Sequence, residues 1–293
     1  MIEQTSFTSN GTKCSAIFYL PDILKRPPPV IIMAHGLGAV KEMRLDAYAN
    51  EFCQIGYACF LFDYRFFGSS EGTPRQVVDI GKQLEDWDNA IKHVSKMEDV
   101  DQNRIVLFGS SFSGGHVIEL ASKHKEVAAT ISQCPFTDGI ASLIGMNLLS
   151  MLKLVPSIIG DLVCELFGWN PILVDLGGSP GSKALMPVHD SGQYINLVPL
   201  ETTFKKQVAA RIGFYILFYS PGRAAKKVTC PLYVSVCSQD TVAPAKKTEQ
   251  LVKSAKDCEC VVYPVGHFDV YVGEPFEKAC SDYKDFLRRK VPI

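Results

Sequence analysis

Apolar and polar residues alternate along the first 20 residues and then give way to short, continuous apolar runs. The alternation over residues 2–20, broken at Ser9-Asn10-Gly11, predicts two antiparallel strands joined by a tight turn. The apolar runs predict strands that helices cover on both faces, because such strands have no side that faces water. These runs occupy residues 30–34, 57–62, 105–108, 127–132, 230–237 and 259–263.

Helical patterns separate these runs. Ile80, Leu84, Trp87 and Ile91, for example, recur at the three- and four-residue spacing of one helix face. Strand and helix therefore alternate, which predicts an α/β fold with a mostly parallel sheet covered by helices on both faces. The predicted helices span residues 41–55, 76–97, 116–124, 244–255 and 275–290.

The alternation stops between residues 139 and 228, a span too long for a loop within a compact domain. We therefore expect a core built from residues 1–138 and 229–293, with an inserted subdomain at 139–228. A ligand site is expected beyond the carboxyl ends of the core strands, where such sheets bind their ligands.

The insertion begins with residues 140–169, which are nearly all apolar. Lys153 and Pro156 interrupt this run and acidic residues follow, so no stretch has the roughly 20 uncharged residues that a bilayer requires. The composition predicts a helical lid that supplies an apolar acyl pocket, with another lid helix over 208–215. Peripheral contact of this lid with a membrane stays open.

The overall composition fits one globular domain, or one domain with an insertion, because 47% of the 293 residues are hydrophobic. Thirty basic and 31 acidic residues give a formal charge of −1, so we expect no nucleic acid partner. The first residues lack a basic patch followed by an apolar run, which argues against a secretory signal. The pattern leaves the oligomeric state open.

The ten cysteines are scattered, and most lie in apolar runs, which is typical of reduced thiols in a cytoplasmic protein. Cys258 and Cys260 lie in a predicted strand without a second Cys or His pair nearby, so we expect no zinc site there. Neither a metal nor a cofactor is expected.

Gly109-Ser110-Ser111-Phe112-Ser113-Gly114-Gly115 follows one predicted strand and precedes a helical pattern. This stretch is close to the nucleophile elbow G-x-S-x-G, with Ser113 in place of the last glycine. Small residues on both sides of Ser111 let strand and helix approach each other, which exposes the serine hydroxyl to a base. A Gly/Ser-rich turn that binds phosphate is the alternative interpretation.

A second glycine-rich turn, His35-Gly36-Leu37-Gly38, follows the strand predicted at residues 30–34. Acyl transfer needs two backbone N–H donors for the oxyanion. We predict that Leu37 supplies one and that Phe112, the residue after the nucleophile, supplies the other. His35 is expected to hold this loop by hydrogen bonds.

A carboxylate and an imidazole follow the later core strands. Asp240 comes just past residues 230–237, and His267 lies in the loop after residues 259–263. We predict that His267 takes the proton of Ser111 while Asp240 steadies the imidazolium. Asp240 as a simple helix cap, and Asp138 as the acid in its place, remain alternatives.

The other histidines and one charged pair have structural interpretations. We expect His93 and His124 on the surface, His116 packed or hydrogen-bonded in its helix, and His189 in the insertion. Asp63 and Arg65 are expected to form a salt bridge that organises their loop; a grip of Arg65 on a substrate carboxylate is the alternative.

Five segments in order resemble the α/β-hydrolase superfamily, and more narrowly the serine hydrolases near X-Pro dipeptidyl-peptidase-like and S33 aminopeptidase-like proteins, including fungal polyketide transferases. This resemblance implies an α/β-hydrolase fold, a triad of Ser111, Asp240 and His267, and oxyanion donors at Leu37 and Phe112. The segments are residues 35–38, 63–70, 109–115, 135–139 and 266–269.

The apolar lid favours a serine hydrolase that cleaves a small-molecule ester or thioester of an apolar acyl chain, as a carboxylesterase or thioesterase does. Transfer of the acyl group to an alcohol, as in polyketide transferases, is the second interpretation. A peptidase is less favoured because no paired carboxylates stand out to bind a free amine. A hydrolase fold kept as a non-catalytic binding module is the remaining alternative.

Overall fold

The computed structural model of the chain describes residues 1–22 and 26–293. Within these ranges the strands form one sheet of eight and one of three. The strands are β1 (Ile2–Ser9), β2 (Thr12–Tyr19), β3 (Val30–Ala34), β4 (Ala58–Phe62), β5 (Ile105–Ser110), β6 (Ala129–Gln133), β7 (Leu173–Gly178), β8 (Ala184–Pro187), β9 (Gln207–Ala209), β10 (Leu232–Cys237) and β11 (Cys258–Tyr263). The α-helices are α1 (Leu45–Gln54), α2 (Ile80–Val94), α3 (Phe112–Lys123), α4 (Gly139–Ile144), α5 (Leu148–Leu166), α6 (Ser191–Asn196), α7 (Ile212–Tyr215), α8 (Ala245–Val252) and α9 (Gly273–Lys290).

The larger sheet has the order β1-β2-β4-β3-β5-β6-β10-β11. The predicted hairpin is confirmed, since β1 and β2 pair antiparallel across Asn10 and Gly11. β2 also pairs antiparallel with β4, and each later neighbouring pair is parallel. Every predicted apolar run forms a strand of this sheet, with bounds within two residues of those expected.

The centre of this sheet is the core of the protein. β3, β4 and β5 consist entirely of buried residues, as expected of parallel strands covered on both faces. The covering helices meet in pairs, with α1 beside α9 and α2 beside α3. The loops after β3, β5, β10 and β11 follow the carboxyl ends of parallel strands and so lie at one edge of the sheet.

The chain leaves the larger sheet after β6 and returns to it at β10. Residues 139–228 contain α4 to α7 and the smaller sheet, in the order β8-β7-β9. The prediction of a helical segment is therefore only partly correct, because three strands also form here. The helix expected over 208–215 is instead β9 followed by the short α7. Val208 and Ala209 are fully buried and pair with β7, so tertiary packing overrides the local helical pattern.

Two further properties concern the described ranges. No helix there combines the length and the apolar composition needed to cross a bilayer. The ten cysteines, all within those ranges, are free thiols.

Candidate active site

Ser111 occupies the turn between β5 and α3, as the elbow motif predicts. Its backbone has φ 57° and ψ −115°, a conformation that costs strain in a residue with a side chain. Gly109 permits the turn, because a Cβ at this position would overlap the carbonyl oxygen of Ser113. The strand and the helix therefore approach closely enough to hold Ser111 at the end of the sheet.

A chain of two hydrogen bonds joins Ser111 to His267 and Asp240. His267 Nε2 lies 2.9 Å from Ser111 Oγ, and its Nδ1 lies 2.6 Å from Asp240 Oδ2. The imidazole is only 1% exposed. The structure thus brings together three side chains that lie 27 and 156 residues apart in sequence.

The two oxygens of Asp240 have different partners, and neither caps α8, which begins after Pro244 without a side-chain cap. Oδ1 accepts hydrogen bonds from the N–H groups of Val242 and Ala243, each at 2.7 Å, while Oδ2 faces His267. The alternative acid, Asp138, accepts a hydrogen bond from Ala141 N and caps α4. Asp138 is therefore engaged elsewhere, and Asp240 is the partner of His267.

Burial and charge act in opposite directions on His267. Burial lowers the pKa of the imidazole, but the Asp240 carboxylate, with further help from the side chains of Cys134 and Asp190, raises this pKa to about 9. The imidazolium is thus stabilised where it stands, next to the hydroxyl of Ser111.

The loop after β3 packs directly against the nucleophile position. A Cβ on Gly36 would lie 2.9 Å from Ser111 Cβ, so glycine is what lets the Leu37 turn come this close. Phe112 begins α3, so its N–H has no acceptor within the helix. Tyr194, from the residues between β6 and β10, donates a hydrogen bond to the carbonyl oxygen of Leu37 at 3.0 Å.

A cavity of about 440 Å³ opens beside Ser111. Leu37 and Phe112 line its Ser111 end, and α5 and α7 supply much of the remaining wall. Among the described residues that line it, none carries a charge, and its few polar side chains are Ser, Thr and Asn. This volume and lining are typical of a pocket for an apolar small molecule.

Comparison with known protein families assigns this chain to one of them. The family model described as "Serine aminopeptidase, S33" matches residues 25–271. The chain belongs to this family. It is an α/β-hydrolase of the serine hydrolase type, in the branch that its motifs resemble.

Relatives of this S33 protein carry several activities in their names. A quorum-quenching protein of Acinetobacter baumannii (strain MDR-ZJ06) is 44% identical over 98% of this chain and 94% of its own length. A polyketide transferase of Aspergillus fumigatus is 26% identical over 90% of each chain. The solved DcsB complex with its substrate analogue has a TM-score of 0.84 at 23% identity, with 99% of each chain covered, which shows the shared fold.

In this S33 hydrolase, Ser113 does more than provide a small side chain. Its hydroxyl lies 2.7 Å from Tyr64 Oη and 3.2 Å from Trp87 Nε1, and Trp87 also donates to Tyr64 Oη. This buried network ties the elbow to α2 and to the loop after β4. Trp87, on the apolar face predicted for its helix, is fully buried. The sequence does not predict its polar partners, because the three side chains lie 23 to 49 residues apart.

The predicted salt bridge between Asp63 and Arg65 is wrong. Asp63 Oδ2 lies 2.7 Å from the buried Lys41 Nζ, whereas Arg65 Nε donates to Asp86 Oδ1 at 2.7 Å and its guanidinium also pairs with Glu85. The partner of Asp63 lies in the loop before α1, whereas the partners of Arg65 lie on α2. Arg65 is buried and does not line the cavity at Ser111.

Within the described ranges, none of the remaining histidines forms a hydrogen bond with Ser111 Oγ. His116 bonds to Tyr219 Oη and Gln83 Oε1, and burial lowers its pKa to about 3. His93 is half-buried against Phe7 and Phe60 rather than fully on the surface as predicted.

His124 bonds to Asp88 and Glu126, and His189 is exposed. His35 holds its own loop through Gly36 O at 3.0 Å.

No group of three or more His, Cys, Asp or Glu residues in the described ranges has an arrangement that could hold a metal ion. Cys258 and Cys260 lie on β11, half-buried and exposed respectively.

Proposed function

We propose that this protein hydrolyses an ester or thioester of an apolar acyl chain through a Ser111-His267-Asp240 triad and an acyl-enzyme intermediate. The observation that carries the proposal is the chain of hydrogen bonds from Asp240 through His267 to Ser111, at the end of an uncharged cavity. The sequence motifs and the S33 family support it further.

In this mechanism Ser111 Oγ attacks the acyl carbonyl carbon while its proton passes to His267 Nε2. Asp240 holds the Nδ1–H of the same ring and stabilises the imidazolium. The N–H groups of Leu37 and Phe112 bind the negative oxygen that forms. The proton then passes from His267 to the leaving alcohol or thiol, and water repeats the sequence to release the acid and restore Ser111.

The substrate class follows from the cavity wall. An apolar acyl chain can replace water along this wall without leaving a charge unpaired, and 440 Å³ lies within the range of small-molecule pockets. An aminopeptidase would have to pair the free amine of its substrate with a carboxylate. The described lining has none, which favours the ester or thioester over a peptide.

Ser111→Ala tests the proposal directly. We expect loss of p-nitrophenyl ester turnover and of labelling by a fluorophosphonate probe, because the nucleophile is gone, while circular dichroism stays unchanged. Ser122→Ala, a serine at the far end of α3, is the matched control and should label normally. Folded wild-type protein that does not react with the probe would point to a binding module instead.

Acyl transfer is the second candidate, and the Aspergillus fumigatus polyketide transferase relative favours it. Transfer and hydrolysis share the acyl-enzyme and differ in whether an alcohol or water attacks it. A panel of acyl thioesters, with and without added alcohols, separates them by the ratio of new ester to free acid. A ratio that stays near zero at high alcohol concentration supports hydrolysis.

A biological role in quorum quenching is suggested by the Acinetobacter baumannii relative, which covers nearly the whole chain. The proposed chemistry serves this role if the quenched signal carries an apolar acyl group. Loss of signal from a bacterial reporter strain, compared between wild type and Ser111→Ala, tests it. Equal signal loss by both proteins would separate quenching from the proposed reaction.

A further inference from the structure

Helix α5 exposes an apolar face along its whole length. The apolar residues there recur at three- and four-residue spacing, so they form one continuous line over 19 residues of helix. We refer to this line as the exposed stripe: Leu148, Leu152, Val155, Ile159, Val163 and Leu166. Leu152 is 61% and Leu166 78% exposed, which is unusual for leucines in a regular helix pattern.

The opposite face of α5 explains why the stripe points outward. Ser150, Ser157 and Asp161 are buried on that face. Both Asp161 oxygens accept hydrogen bonds from the Arg211 guanidinium at 2.9 Å. A surface helix usually turns its polar face to water. In α5 the buried ion pair holds the polar face inward, so the apolar face is exposed.

Other exposed apolar side chains lie just before α5, just after it, and on α7 and the turn that follows α7. Phe167 and Trp169 stack on each other just past the end of α5, with ring centroids 5.1 Å apart. Ile144, Phe214 and Phe218 are also exposed. Exposed apolar surface on this scale marks an interaction site, and aromatic side chains at its border are typical of contact with a lipid interface.

The stripe is continuous with the wall of the cavity. Val155 and Ile159 belong to the stripe and also line the cavity that ends at Ser111. An acyl chain could therefore move from the surface beside α5 into the cavity without crossing water. A second copy of the protein on the stripe would cover these two residues and the entry beside them, whereas lipid leaves the acyl chain a path.

The charges beside the stripe favour an anionic surface. The two acidic residues of α5, Asp161 and Glu165, both pair with Arg211. Lys153 of α5 donates to the carbonyl oxygen of Gly181 at 2.7 Å, and Lys183 follows two residues after Gly181. Neither lysine forms an ion pair within the described chain, and neither does the exposed Asp175, which pairs across the smaller sheet with the residue after Lys183. Two positive charges and one negative charge are therefore available to the headgroups.

We propose that the exposed stripe docks on the surface of a lipid bilayer that contains anionic headgroups, with α5 lying in the interface. The docked helix lets an acyl substrate pass from the bilayer into the cavity. This passage rests on the proposed function, whereas the docking itself does not. A binding assay without turnover therefore keeps the two proposals distinguishable.

Co-sedimentation with unilamellar vesicles tests the docking. We expect the protein to sediment with vesicles of phosphatidylcholine and phosphatidylglycerol, and less with phosphatidylcholine alone. Trp169 is 60% exposed and Trp87 is fully buried, so brominated lipid should quench only the exposed indole. Absence of sedimentation with both vesicle types would overturn the proposal.

Leu152→Ser/Leu166→Ser is the decisive variant, since both leucines are exposed and neither lines the cavity. We expect its vesicle partition coefficient to fall at least about tenfold, because two buried leucines are lost from the contact. Ile2→Ser/Val262→Ser removes two exposed apolar residues from the larger sheet and should bind as wild type. Turnover of a short, water-soluble ester should be equal in all three proteins, which checks their folding.

Two results contradict the proposal. Equal loss of vesicle binding in both double variants would show that the stripe contributes no more to binding than other exposed apolar residues. A wild-type dimer in light scattering that becomes a monomer in Leu152→Ser/Leu166→Ser would assign the stripe to a second copy of this chain.

Discussion

His267 lies between a carboxylate and a hydroxyl in a space that is almost closed to water. Its two ring nitrogens have one partner each, at 2.6 Å and 2.9 Å, so the ring has little freedom to turn. The ring must be neutral to accept the proton of Ser111, and the Asp240 carboxylate favours the protonated form. The pKa of His267 therefore links the geometry at this site to the pH at which the proposed reaction proceeds.

Asp240→Asn should change the pH dependence of ester turnover. With a His267 pKa of about 9, kcat/KM of the wild type rises with pH and levels off above that value. Removing the carboxylate takes away the main influence that raises the pKa, so the inflection should move to lower pH. The rate on the plateau should fall by about 10³-fold or more, because the ring is no longer held.

Asp138→Asn is the control for this measurement, since Asp138 caps α4 and has no contact with His267. Its pH profile should match the wild type. An unchanged inflection in Asp240→Asn would mean that the carboxylate does not set the pKa of His267.

The residues at this site differ in how well the sequence predicts them. Ser111, Asp240 and His267 stand out because each directly follows a strand whose apolar run is unmistakable. The partners of Asp63 and Arg65 do not, because a charged side chain can reach any of several elements, and only the packing of α2 and the loop before α1 decides between them. Tyr194 gives no signal either, since its contact with Leu37 spans 157 residues.

At the scale of elements, α5 is held by one buried ion pair. Asp161 is fully buried, accepts the N–H of Ile172 and of Arg211, and receives the Arg211 guanidinium. These bonds connect α5 to β7 and to the start of α7. The sequence predicts the helix itself from its apolar run, but it gives no indication that the polar side faces inward.

Arg211→Met should lower the free energy of unfolding by about 3–5 kcal/mol, because it leaves the carboxylate of Asp161 buried without a counter-charge. Urea unfolding measures the change. Asp161→Asn/Arg211→Met removes that charge as well and should recover part of the loss. Equal losses in the single and the double variant would show that the unpaired carboxylate is not the cause.

At the scale of the whole molecule, the residues between β6 and β10 reach back to the first part of the chain. The hydroxyl of Tyr194 fixes the Leu37 loop, and the Tyr194 ring packs against Phe268, next to His267. Thr241, next to Asp240, donates a hydrogen bond to Asp190 at 2.8 Å. The segment between β6 and β10 thus contacts the Leu37 loop on one side of the proposed reaction centre and the loops of Asp240 and His267 on the other.

Tyr194→Phe should lower kcat for ester hydrolysis about fivefold with little change in KM, because one hydrogen bond that positions the Leu37 N–H is lost. Tyr215→Phe is the matched control: its hydroxyl bonds to Glu165 in the same segment and has no contact with the Leu37 loop. Steady-state kinetics on one soluble ester measures both. A rise in KM with kcat unchanged would assign Tyr194 to substrate binding instead.

The order of the strands along the chain has a consequence for biosynthesis. β5, with Ser111 after it, leaves the ribosome long before β10 and β11, which bring Asp240 and His267. A nascent chain that ends after β9 contains Ser111 but not His267, so the proposed base is absent. Because His267 follows β11, the proposed triad is complete only after this edge strand has joined the sheet.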